Sequence, residues 1–334
     1  MSKKRFVGPD TLRGISILGV ILIHITSTTT IVSDGGISYA VSMFINQIAR
    51  FAVPAFLILS GWGLSISNKL EHGYTYFVKK QITKIIFLYF LWSIVYFLFK
   101  SEGYSIISFV KGLILGDNYY HLYYVPITIL LYLCYPIILK IGKTNRGLLL
   151  SLIITVGSQL SVYVINFSFL DSPQNVFNWF FYFVFGVWLA NDYERKLQKV
   201  KKIKMPLIVL LIISVAFIVS ENLIMSIGNY TTSMRPSIII YSICFILLVL
   251  SSNFNSRILN IFSKESYGVY LSHALILSLF EKIWDVLNFS KVNLVYVIMA
   301  FILTSTISLF MSQTISKIIK SFRSKKYNYK RVER

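Results

Sequence analysis

Cysteine is nearly absent from this chain of 334 residues: Cys134 and Cys244 are the only two, and both stand inside apolar runs. That excludes a disulfide framework and a cysteine-ligated metal site, and both side chains read as core packing. Acidic residues are scarce too, 13 against 33 basic. No carboxylate or cysteine stands at ligand spacing beside any of the four histidines, which argues against a metal centre. The basic start "MSKKRFVGPD" leads into an apolar segment without an A-x-A cleavage site, so it reads as a retained first helix rather than a removed signal peptide. Linkers of domain size, internal repeats and low-complexity tracts are also missing. A single membrane domain over 1–334 is expected, with a short basic tail from about 317 to 334.

What fills the chain instead is apolar: 55% of residues are hydrophobic and 16% aromatic, and the mean hydropathy is +0.67. A soluble domain of this length does not reach such values, so the chain reads as an integral membrane protein. A hydrocarbon core about 30 Å thick needs about 20 apolar helical residues. Ten segments qualify, at roughly 12–31, 40–67, 82–99, 122–139, 147–167, 177–191, 205–227, 236–252, 266–284 and 293–316. The predicted fold class is therefore all-α, a polytopic bundle of about ten transmembrane helices with both termini cytoplasmic.

The charge distribution tests that count. A net charge of +20 in a soluble chain would suggest a nucleic-acid surface. Here Lys and Arg crowd alternate connections: Lys3 to Arg5, Lys69 to Lys84, Lys140 to Arg146, Arg195 to Lys204, Arg257 to Lys264, and the tail from Lys317. The opposite set holds Lys100, Lys111, Arg235, Lys282 and Lys291. This is the positive-inside pattern. It leaves anionic lipid as the partner of the basic face, not nucleic acid. The longer outer connection contains "SIISFVKGLILG", which reads as a short interfacial helix.

Ionisable residues inside a membrane cost about 2.5 to 3.5 kcal/mol each on insertion scales, so each needs a reason. Arg13 and His24 lie on the first helix, and at 100° per residue their spacing is three turns plus about 20°. They share one face, about 16.5 Å apart along the axis. That places a cation at the cytoplasmic mouth and an imidazole slightly past mid-bilayer, a line able to bind an anionic cytosolic molecule at one end and act on its far end. Arg13 also reads as a snorkelling, topology-setting residue, and His24 as an interhelical hydrogen-bonding group. Asp10 is spaced to pair with Arg13 and is too far along the helix to orient His24.

The second segment carries Arg50 near mid-bilayer, then Pro54, Ser60, Gly61 and Gly63, residues that permit a kink and close packing. Lys80 and Lys84 stand at the cytoplasmic mouth of the third helix, read either as a stop-transfer cluster or as a phosphate site. His121 opens the fourth segment amid interfacial aromatics, and His273 lies inside the ninth. His72 falls in a cytoplasmic loop, and Glu221 near the outer end of the seventh helix is a candidate acid partner.

"DTLRGISILGVILIH" resembles the Arg-X10-His opening of the acyltransferase-3 family of multi-pass membrane acyltransferases. "FAVPAFLILSG", "HLYYV" and "SKESYGVYLSHALI" resemble further stretches of that family in the same order, between residues 10 and 276. Two departures stand out. Gln81 and Lys84 occupy the place of the family's Arg-x-x-Arg pair, and Tyr123 that of a tryptophan. The resemblance implies transfer of an acyl group, most often acetyl from acetyl-CoA as co-substrate with no bound cofactor, to a hydroxyl of a cell-envelope glycan or its lipid-linked precursor, in the bacterial cytoplasmic membrane. On that footing His24 with Arg13 forms the catalytic pair, His24 acting as general base in preference to nucleophile. Asp10, Lys80, Lys84, His121 and His273 are assigned to donor or substrate binding. Arg50 is assigned to polarising the acyl carbonyl or holding the acceptor. A transporter or flippase of a lipid-linked saccharide or small anion is the competing class, with an inactive scaffold third.

Overall fold

The computed structural model describes residues 6–32, 36–100, 105–161, 172–224 and 232–332. Among these the regular structure is entirely helical, without strands. In chain order the α-helices are α1 (Val7–Val32), α2 (Gly36–Ala49), α3 (Ala52–Ser67), α4 (Tyr74–Lys100), α5 (Ile106–Leu115), α6 (Tyr124–Leu133), α7 (Tyr135–Gly142), α8 (Asn145–Ser161), α9 (Phe180–Ala190), α10 (Tyr193–Lys202), α11 (Lys204–Ile224), α12 (Pro236–Ser251), α13 (Arg257–Val286) and α14 (Leu294–Val332).

Among the described residues five stretches are long and apolar enough to cross a bilayer: Val7–Ile31, Gly36–Ser67, Tyr74–Lys100, Lys204–Ile224 and Leu294–Ser321. The pair α6 and α7, bent by 76°, makes a sixth when taken as one span. Of the other expected segments, α9 and α12 are apolar but short. The last residues of the segment at 147–167 lie outside the described residues, and α13 is long but interrupted by charge. Peripheral α11 exposes Val209, Ile212, Ile213 and Phe217 on its outer side. Apolar side chains spread over an outer surface in this way suit lipid, not water.

Two breaks follow from proline. The second segment splits at Arg50 and Phe51, because Pro54 has no N–H to give and its ring displaces the carbonyl four residues earlier. That carbonyl, Arg50 O, accepts instead from Ser233 Oγ at 3.2 Å. Pro136 similarly follows the α6–α7 bend at Cys134. Cys134 is exposed there, whereas Cys244 is buried. Core packing thus describes Cys244 alone, because the bend turns the Cys134 side chain outward.

The interfacial helix appears as α5, with Ser105 Oγ accepting from Ile107 N at 3.2 Å at its start. It closes at Gly116, whose φ of 80° suits glycine. The connection at 192–204, expected as a loop, forms the basic helix α10, and Lys196 Nζ from it donates to Trp188 O and Asn191 O at the end of α9. The backbone of α14 stays helical to Val332, so the basic stretch beyond 317 continues the last helix.

α1 is the centre of the bundle, with Leu12, Ile17, Ile21 and Ile25 wholly buried. It approaches α13 so closely at Gly14 that a Cβ there would overlap Leu259 O. α3 and α9 cross as tightly, through Gly61 against Phe183 O and Gly186 against Ile58 O. Small residues at crossings are how helices gain contact where lipid supplies no hydrophobic driving force.

Candidate functional site

A cavity of about 190 Å³ runs inside the bundle along one face of α1. Arg13, Val20 and His24 supply that face, as their spacing requires. Opposite them are Phe56 and Ser60 of α3, Tyr124, Thr128 and Tyr132 of α6, Tyr267 and Tyr270 of α13, and His121. A second cavity of about 310 Å³ is lined by Arg13, Ser60, Gly63, Lys69, Gln81, Lys84 and Tyr132. Arg13, Phe56, Ser60 and Tyr132 belong to both walls. Arg13 therefore marks the junction between an aromatic inner chamber and a basic outer one.

At the far end of the inner chamber three imidazoles meet. His24 comes from α1, His121 from the turn ahead of α6, and His273 from α13. The ring of His273 lies 5.3 Å from that of His24 and 4.9 Å from that of His121, centroid to centroid. His121 and His273 are buried, while His24 keeps accessible surface on the chamber. His273 Nδ1 faces the carbonyls of Tyr270 at 2.6 Å and Val269 at 3.2 Å. Tyr270 in turn donates its hydroxyl to His121 O, joining α13 to the turn that carries His121. The His24 ring also packs against Tyr120, 4.7 Å away, and Tyr120 is 50% exposed on its other side. Among the described residues no group of three histidine, cysteine or carboxylate side chains is placed to hold a metal ion.

The remaining residues singled out in the sequence divide. Asp10 pairs with Arg13 at 3.4 Å, and Ser263 Oγ reaches the same carboxylate oxygen at 3.5 Å. Lys84 lines the basic chamber and donates to Gln81 Oε1 at 3.1 Å. Lys80 is one turn away, exposed and bonded to Tyr76 Oη at 2.9 Å, so it stands off that wall. Both lie well inside α4, which starts at Tyr74, ahead of the expected boundary. His121 belongs to the buried cluster instead of an interfacial belt. Arg50 is not among the side chains lining either cavity: its Nε and Nη2 both donate to Asn46 Oδ1, at 3.0 and 2.5 Å. Asn46 also donates to Ile23 O, so this cation knits α2 to α1. Glu221 pairs with buried Arg235 at 3.1 Å and is not the acid partner of a histidine.

Several lining groups went unnoticed in the sequence. Tyr267 and Tyr270 fall at the three-residue spacing that continues to His273 along α13, a stripe legible in "YGVYLSH". Lys69 and Tyr132 gave no such signal, since only the fold brings the turn before α4 and the middle of α6 beside Arg13.

Residues 6–313 match the sequence profile of a family described as an acyltransferase domain. Over 297 residues the chain is 27% identical to the probable poly-beta-1,6-N-acetyl-D-glucosamine export proteins of Staphylococcus aureus strains MSSA476, MW2 and MRSA252, covering 80% of this chain and 81% of those proteins. No solved structure matches. A match over nearly the whole length, on a membrane bundle whose first helix sends Arg13 and His24 into one chamber, places this chain in the acyltransferase-3 family of membrane acyltransferases.

Proposed function

We propose that the protein is an O-acyltransferase of the bacterial cytoplasmic membrane, transferring acetyl from acetyl-CoA to a hydroxyl of a cell-surface polysaccharide or its lipid-linked precursor. The observation that carries the reading is that the two chambers share Arg13, Phe56, Ser60 and Tyr132 in their walls. A donor with a polyanionic head and an extended thioester arm fits that shape. Its phosphates meet Lys69, Lys84 and Arg13, and its arm threads the aromatic chamber to His24. Positive-inside charge puts the basic chamber on the cytoplasmic side of a bundle with ten crossings and both termini inside. The Gln81 amide beside Lys84 gives single-point contacts where an arginine pair would give bidentate ones.

At His24 the neutral imidazole takes the proton of the attacking hydroxyl. The oxygen bonds to the acyl carbon, the carbon–sulfur bond breaks, and the departing thiolate recovers the proton. The acceptor reaches His24 past Tyr120, whose exposed ring covers the side away from the donor. The name of the relatives makes a β-1,6-linked N-acetylglucosamine polymer the first acceptor to test.

That same name favours a second reading, export of the polysaccharide itself through the bundle. Membranes supplied with radiolabelled acetyl-CoA separate the two, comparing wild type with His24→Ala at equal expression. Acetyl-CoA-dependent label in a glycan or lipid-linked saccharide with wild type alone is the expected result. Absence of label together with His24-dependent glycan export would replace the enzyme by the exporter.

A further inference from the structure

We infer that His273 is a positioning residue for the transfer: its Nε2 accepts the hydrogen bond of the His24 ring nitrogen that faces away from the substrate, and so fixes which His24 nitrogen acts as the base. This rests on the reading of His24 as general base.

An imidazole that serves as a base must have one N–H held, so that the other nitrogen presents its lone pair in a fixed direction. A carboxylate commonly holds it. Among the described residues no hydrogen bond or ion pair joins a carboxylate to the His24 ring. Asp10 is three turns and more down the same helix, on Arg13. Glu281, farther along α13, accepts from Thr28 Oγ1 at 2.8 Å and Tyr296 Oη at 2.9 Å. Arg50, the nearest cation, can only donate.

His273 has the required chemistry. Both partners of its Nδ1 are carbonyl oxygens, which only accept, so Nδ1 carries the hydrogen and Nε2 carries a lone pair. Nε2 finds no hydrogen-bond partner among the described residues, in a side chain with 0% exposure. A buried orphan acceptor is costly and calls for a donor. Two rings are near enough. That of His121 meets it edge to face, at 75° between planes. The ring of His24 is inclined by only 32° at 5.3 Å, about the centroid separation of two imidazoles joined head to head by one N–H···N bond of about 2.9 Å.

During transfer His273 neither gains nor loses a proton. The hydroxyl proton passes to the free nitrogen of His24 and on to the thiolate, while the N–H held by Nε2 strengthens its bond as His24 becomes cationic. The role is thus confined to the chemical step and leaves substrate binding alone.

Two variants and one spectrum test it. In His273→Asn the amide still donates to the helix carbonyls but stops short of the Nε2 position; in His273→Gln an amide oxygen reaches it. The expected result is a fall in kcat of about 10- to 100-fold for His273→Asn, with KM for acetyl-CoA and for acceptor unchanged, and partial recovery in His273→Gln. Wild-type kcat in His273→Asn, or an equal loss in both variants at undiminished thermal stability, overturns the proposal. Nitrogen-15 spectra of the wild-type protein labelled at its four histidines, assigned with the His273→Asn protein, read the tautomer whether or not any transfer is detected. A hydrogen on Nδ1 of His273 supports the proposal and one on Nε2 ends it. If His24→Ala still transfers acetyl, the general-base reading fails independently, whatever the tautomer of His273.

Discussion

The imidazoles of His24 and His273 stand 5.3 Å apart at the far end of a chamber whose near end is marked by Arg13. They come from opposite ends of the chain and meet because Gly14 lets α1 lie directly on the backbone of α13. Everything expected of the site's behaviour follows from the division between that imidazole end, where the chemistry is placed, and the Arg13 end, where charge is.

Removal of the His24 imidazole is expected to lower acetyl transfer by about 100- to 10,000-fold, the range supplied by a positioned general base. His24→Ala and His24→Asn should do so with acetyl-CoA binding retained, because the donor head binds at the other end. Filter binding of labelled acetyl-CoA alongside the transfer assay checks this, and lost donor binding would speak against the division.

Arg13→Ala is expected to raise KM for acetyl-CoA by about 10-fold or more, since it removes a phosphate partner and the ion pair with Asp10. Arg13→Lys keeps charge but loses the planar fork, and should fall between. Lys84→Ala raises the same KM more weakly, as an exposed point charge, and Lys80→Ala leaves it unchanged. Steady-state kinetics at two salt concentrations read the series.

Gly186→Leu forces a side chain onto Ile58 O, where even a Cβ would overlap the carbonyl. A stability loss of about 1 to 3 kcal/mol is expected from overpacking, seen as a lower melting temperature in detergent. At Gly63, by contrast, a Cβ would meet nothing within 4 Å. Gly63→Ala should therefore melt at or above the wild-type temperature, given the better helix propensity of alanine.

Arg235 is 1% exposed and paired with Glu221. Removing Glu221 takes the carboxylate from a buried cation that otherwise keeps Gln47, at an expected cost of about 3 kcal/mol. The double variant Arg235→Met with Glu221→Gln should be less damaging than Arg235→Met by itself. Thermal melting through the full double-mutant cycle measures the coupling.

Much of the first helix was legible without a structure. The period of an α-helix places Arg13 and His24 on one face, and the cost of ionisable groups in lipid says that this face cannot look outward. The pairing of Asp10 with Arg13, the short helix α5 and the kink at Pro54 were equally local. Arg50 shows the limit. Its depth was evident, but whether it turned toward the chamber or toward Asn46 depended on a neighbour one helical turn away and on where α1 lay.

Sequence alone determined that the chain is a helical membrane protein, which ends are basic, and that one helix lines up a cation with an imidazole, because composition and periodicity act within a single helix. Tertiary structure decided which of the other residues line the two chambers or meet His24. His121, His273, Lys69 and Tyr132 arrive there through bends, proline breaks and glycine crossings between helices distant in sequence, and no period along one helix encodes which helix will be its neighbour.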